Sequence, residues 1–149
     1  MRKLALILTL ITLIFILFYS LSDKARMLAV QKGNFEAKPI ELIPNHFSDA
    51  YCKMTITQKE FAVQLISDAG KTWLFDDIGC MAKWLDDKMF ETAPHIFVYT
   101  QDSHTWIKAQ DAHYNSAEKS PMGYNFAAYE IPDASYQDFN TVINTILKD

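Results

Sequence analysis

The chain has 149 residues, half of them hydrophobic, with 14 Lys and Arg against 18 Asp and Glu for a formal charge of −4. That length suits one compact domain behind a separate N-terminal segment. An acidic chain with no basic stripe argues against nucleic acid as a partner and against adhesion to an anionic membrane surface.

The N-terminal segment is the run Leu4 to Leu21, which holds no charge and follows Arg2 and Lys3. Its 18 residues reach about the lower limit for spanning a bilayer. A cleaved secretory signal has a shorter apolar stretch of about 7–15 residues and an A-x-A-like exit, which Tyr19-Ser20-Leu21-Ser22-Asp23 matches poorly. The expectation is a membrane anchor over residues 4–21 with its N-terminus in the cytoplasm, a cleaved signal being the alternative. No cysteine closely follows the run, so lipid attachment is not expected. From Asp23 onward, 12 Lys and Arg face 18 Asp and Glu, a formal charge of −6 suited to an exported domain. Two cysteines in an exported chain can form one disulfide or be kept as thiols for a metal, and the count does not choose between them.

Residues 23–48 contain Gly33, Pro39 and Pro44 with weak periodicity and read as a linker, with packed structure starting somewhere between residues 35 and 49. This divides the chain into an anchor or signal segment over 1–22, a linker over 23–48 and a globular domain over 49–149. Cys52–Thr57 alternates in the strand manner, and Phe61–Ile66 is a second strand. Asp68-Ala69-Gly70-Lys71 supplies a turn, and Thr72–Phe75 returns as a third strand. Ile78, Met81, Trp84 and Leu85 then follow helical spacing, with Asp76 or Asp77 as the N-cap. His95–Tyr99 is an apolar strand, and Thr105–Lys108 and Ala112–Tyr114 are short extended pieces. Gly123–Glu130 alternates, and Tyr136–Leu147 closes the chain as an amphipathic helix. The order predicts an α+β fold with antiparallel pairing.

Three stretches concentrate chemistry. On a strand, Cys52 and Met54 share one face roughly 7 Å apart, and a thiolate with a thioether favours Cu(I) over hard cations. On spacing alone the better reading is a strand whose cysteine and methionine both fill the core. In Phe75-Asp76-Asp77-Ile78-Gly79-Cys80-Met81, Cys80 falls in the first helical turn, where the backbone dipole favours a thiolate. There Asp76 and Asp77 suit capping better than a hard cation, and Gly79 and Met81 suit packing. A Cys52–Cys80 disulfide is the structural competitor to a metal-binding thiol. In Ser120-Pro121-Met122-Gly123-Tyr124, proline and glycine present Met122 on a defined turn, where a soft-metal use and a gap-filling use are both open. Of His46, His95, His104 and His113, none forms a zinc-hydrolase pattern. His113, closest in sequence to Met122, is the best auxiliary ligand. The chain has no G-x-S-x-G, phosphate loop or C-x-x-C, and no enzyme activity is expected.

Taken in order, Tyr-Cys-Lys-Met-Thr-Ile, Phe-Ala-Val-Gln, Gly-Lys, Phe-Asp-Asp-Ile-Gly-Cys-Met, Trp-Leu and Ser-Pro-Met-Gly-Tyr-Asn-Phe resemble the NosL family of exported copper-binding accessory proteins for nitrous oxide reductase. The resemblance spans roughly residues 49–130. It implies two small ββαβ-like halves and a Cu(I) carrier on the periplasmic face of the cytoplasmic membrane, partnered by a copper-receiving enzyme or its maturation complex. It also implies Cys52, Met54 and Met122 as copper ligands with His113 as a weaker fourth, and Asp76, Asp77, Cys80 and Met81 in supporting roles. The chain departs from the family in lacking the lipid-attachment cysteine and the extra cysteine and glycine of the Cys-x-x-Cys-Gly-Met motif, which leaves the client enzyme open. Without metal, the alternative is a membrane-anchored interaction protein held by the Cys52–Cys80 disulfide.

Overall fold

A computed structural model describes residues 10–16 and 28–148. Residues 10–16 are helical, and the rest of the predicted anchor lies outside the described residues. Among the described residues no helix is long and apolar enough to cross a membrane.

The fold is α+β with antiparallel sheets. Strands β1 (Val30–Lys32), β2 (Val63–Ile66), β3 (Lys71–Phe75), β4 (His95–Tyr99) and β5 (Trp106–Lys108) form one five-stranded sheet in the order β1-β3-β2-β4-β5. Every pairing in it is antiparallel. Helix α1 (Ile78–Asp86) connects β3 to β4, so β2-β3-α1-β4 forms a ββαβ unit. The second half is smaller. Strands β6 (His113–Asn115) and β7 (Ala127–Tyr129) form a separate two-stranded sheet, with isolated bridges from Tyr114 to Gln137 and from Ala128 to Thr100, and helix α2 (Phe139–Lys148) follows.

Both faces of the central strands are covered, and all four residues of β2 are buried. Val63 and Leu65, with Phe75 on β3, face the main core with Ile78, Met81, Val142 and Ile146 from the two helices. Trp84 of α1 lies 5.1 Å from Trp73 and 5.5 Å from Phe75, ring centre to ring centre, and fastens the helix to the sheet. The opposite face carries a smaller core of Leu42, Ile56, Ala62 and Leu74.

That second core draws on the stretch expected as a linker. Within residues 23–48, β1 forms the sheet edge and Leu42 is fully buried. The buried Gln64 side chain accepts from the Ile40 backbone N–H and donates to the Ile40 carbonyl, both at 2.8 Å. One amide thus stands in for a neighbouring strand, and Pro39 flanks the contact without needing to donate.

The strand expected over Cys52–Thr57 is not formed. Residues 51 and 52 lie in a turn, Lys53 adopts φ +66°, and only Thr55 makes an isolated bridge, to Ser48. A left-handed residue interrupts the two-residue alternation, so Cys52 and Met54 do not share a strand face. The cause is Asp49, whose Oδ1 accepts the N–H groups of Tyr51 at 2.6 Å and Cys52 at 2.8 Å. An aspartate that gathers the amides of the next two or three residues folds the chain into a turn.

Candidate metal centre

The turn of residues 49–54 is fixed against the β3–α1 connection by two long-range bonds. The Ala50 N–H donates to the Leu74 carbonyl at 2.8 Å, and the Asp76 N–H donates to Asp49 Oδ2 at 2.9 Å. Inside the turn the Lys53 ammonium donates to the Ala50 carbonyl. Cys52 is thereby held over the start of α1, where Asp76 precedes the helix and Cys80 occupies its first turn.

One ligand atom each from Asp49, Cys52, Asp76 and Cys80 lie within 4.8 Å of one another. This is the one group of three or more His, Cys, Asp or Glu side chains so arranged among the described residues. Both cysteines are free, Cys80 buried and Cys52 half-buried. The Cys52 thiol points at Asp76 Oδ2, 4.0 Å away. Asp76 is 3% exposed, and its Oδ1 is buried with no hydrogen-bond partner. An unpaired buried carboxylate oxygen is costly, and here its carboxyl group belongs to a set of sulfur and oxygen donors.

The electrostatics follow from crowding four acids together. Burial first, then the neighbouring Asp49 carboxylate, pushes Asp76 up to about 7. Burial raises the Cys52 thiol, partly offset by the Met54 backbone N–H. Burial and the charges of Asp49 and Asp76 raise Cys80 strongly. Asp76, Cys52 and Cys80 resist ionisation because they are buried and because acidic neighbours oppose a further negative charge. A bound cation reverses that logic by drawing the protons off its ligands.

Asp77, the next residue, is spent on structure. It is the N-cap of α1, with Oδ1 accepting the Gly79 N–H at 3.0 Å. Its Oδ2 accepts from the Ser120 hydroxyl at 2.5 Å and the Met122 N–H at 3.3 Å. Ser120 and Asn125 close the turn, each side chain accepting the other's N–H at 2.8 and 3.2 Å. Gly79 admits Tyr124: a Cβ there would lie 2.0 Å from the Tyr124 ring. The Pro-Met-Gly turn is therefore docked on the N-terminus of α1, beside the cluster.

The remaining sequence-derived candidates fall as follows. Met122 is half-buried and packs against the main core, as does Cys52. Met54 is 53% exposed, and its carbonyl accepts the Asp49 N–H at 2.8 Å. Met81 is fully buried in the main core. His113 stands on β6 opposite Tyr129 and is not part of the cluster. Sequence reasoning gave Cys80 and Asp76 supporting roles, and the structure puts both inside the cluster. Asp49 was missed. Its local signal is the spacing Asp49-x-x-Cys52, which suits an aspartate accepting the cysteine N–H, but its reach to Asp76 is not written locally.

No family profile, curated protein or solved structure matches the chain.

Proposed function

We propose that this chain is a non-enzymatic Cu(I) carrier of the NosL type, exported and held at the periplasmic face of the membrane by residues 4–21, that delivers copper to a copper enzyme such as nitrous oxide reductase. The observation that carries the metal reading is the group of Asp49, Cys52, Asp76 and Cys80, whose donor atoms lie within 4.8 Å of one another, with the Asp76 carboxyl buried and its Oδ1 unpaired. Two cysteine sulfurs give the group its soft character, and thiolates favour Cu(I) and zinc over hard cations; the NosL resemblance is what favours Cu(I) between the two. Cys52 and Cys80 are the thiolate ligands in this reading. Met122, docked beside them through Asp77, and the exposed Met54 supply thioethers for the transfer step. His113 rests on the resemblance alone. The resemblance likewise supplies the paired-halves architecture, the location and the copper enzyme as partner.

A half-buried Cys52 on a turn suits a carrier, because an incoming ligand can reach the metal there and displace it stepwise. Buried Cys80 and Asp76 hold the inner side.

The test is titration of the reduced 149-residue chain with Cu(I) against a competing chromophoric chelator. The expected result is one Cu(I) per chain, with affinity falling by about 100-fold or more in Cys52→Ser. Met122→Ala is expected to weaken binding by about tenfold. Unchanged affinity in Cys52→Ser and Cys80→Ser overturns the assignment. Thiol counting under denaturing conditions separates the metal-free interaction protein, which would show no free thiols.

A further inference from the structure

The two cysteines differ in accessibility while their sulfurs lie within 4.8 Å of each other. Cys52 is half-buried on a turn, and Cys80 is 1% exposed beneath it. A bond of about 2.05 Å between them needs side-chain rotation and a small shift of the turn. The turn is held mainly by hydrogen bonds from Asp49 and Ala50.

We propose that Cys52 and Cys80 are a thiol–disulfide exchange pair, Cys52 the entering nucleophile and Cys80 the resolving thiol, so that the chain alternates between a dithiol and a disulfide form. The co-reactant is a small-molecule disulfide of the oxidised glutathione class. The Cys52 sulfur, its proton lost to solvent, attacks one glutathione sulfur. The glutathione S–S bond breaks, and one glutathione leaves as a thiolate. The Cys80 sulfur, its proton also lost, then attacks the Cys52 sulfur of the mixed disulfide and expels the second glutathione. Two protein thiols are oxidised and one glutathione disulfide is reduced to two thiols. The order of attack follows from access, since a bulky disulfide can approach Cys52 and cannot reach Cys80. A consequence that rests on the copper reading is that the disulfide form cannot hold Cu(I) through these sulfurs, so oxidation and loading exclude each other.

The experiment treats the reduced, metal-free 149-residue chain in detergent micelles with excess oxidised glutathione, followed by alkylation and intact mass analysis. The wild type is expected to lose both alkylatable thiols and retain no glutathione. Cys80→Ala, with Cys80→Ser as a second variant, is expected to retain one glutathione on Cys52. Cys52→Ala is expected to react at least about tenfold more slowly than the wild type. A wild type that stops at the glutathione adduct, or a Cys52→Ala variant that reacts as fast, overturns the pair. In a parallel arm the Cu(I)-loaded chain is expected to oxidise at least about tenfold more slowly than the metal-free chain. Equal rates overturn the exclusion. If the chain takes up no Cu(I), the carrier reading falls while the metal-free arms still decide the exchange pair.

Discussion

Asp76 and Asp77 are adjacent in sequence, both buried, and opposite in circumstance. Asp77 accepts from the Gly79 N–H, the Ser120 hydroxyl and the Met122 N–H. Asp76 has one oxygen, Oδ1, that accepts from nothing, and its carboxyl group lies among two thiols and a second carboxylate. Burial pushes both carboxyls upward, but hydrogen bonds pull Asp77 back, whereas Asp49 drives Asp76 further up. One carboxylate is used to assemble the fold, and the other lacks the partner that would settle it. The difference shows that the start of α1 serves two purposes at once: it anchors the Pro-Met-Gly turn and faces a group of donors toward Cys52.

The sharpest break of this comparison is Asp77→Ala, which removes the helix cap and leaves the Ser120 hydroxyl without its acceptor. The expected cost is about 3 kcal/mol in urea unfolding, with loss of order in the turn of residues 120–125.

Asp76→Asn is expected to move the other way in the metal-free protein. The folded-state value of Asp76, about 7, lies above its ordinary value of 3.8, so the folded chain keeps a proton that the unfolded chain has released. Between those values stability falls as pH rises, because the folded state binds more protons than the unfolded one. Asn cannot ionise and removes this penalty. The variant should gain on the order of 2 kcal/mol over the wild type at about pH 8 and nothing near pH 4. Saturating Cu(I) should reverse the ranking at the higher pH, since metal stabilises the wild type more than the variant. A gain that persists at the lower pH would show that the carboxyl is not the source.

A third substitution tests the docking surface. Gly79→Ala would put a methyl carbon 2.0 Å from the Tyr124 ring, so the turn must move off the helix; the expected cost is about 2 kcal/mol, with a change in tyrosine fluorescence. Metal affinity should fall by at most about tenfold, the loss expected of Met122→Ala.

How far the sequence went can be read from these same residues. Val63–Ile66, Lys71–Phe75, the helix from Ile78 and its aspartate cap were legible because period and capping are local signals. Residues 52–57 alternate equally well, yet the carboxylate of Asp49 captures their first amides before a strand can form. The burial of Leu42 was hidden for a related reason. Pro39 and Pro44 read as linker chemistry, and the Gln64 amide that secures Ile40 lies 24 residues away. Cys80 was legible as a residue with chemistry and as a possible partner of Cys52, whereas the carboxylates that join them were not. Asp49, Asp76 and both thiols meet through the bond from the Asp76 N–H to Asp49 Oδ2, which crosses 27 residues.

The link between Ser48 and Leu28 bears on how the protein can be cut. The Ser48 N–H donates to the Leu28 carbonyl at 3.3 Å, one residue before the aspartate that shapes the cysteine turn, and β1 follows Leu28 directly along the rim of β3. A truncated fragment starting near Phe35 would discard that stitch and bare the hydrogen-bonding edge of β3, inviting self-association. A fragment retaining Leu28 keeps the stitch and the covering strand, and is therefore the shorter form in which the thiols should still be found side by side.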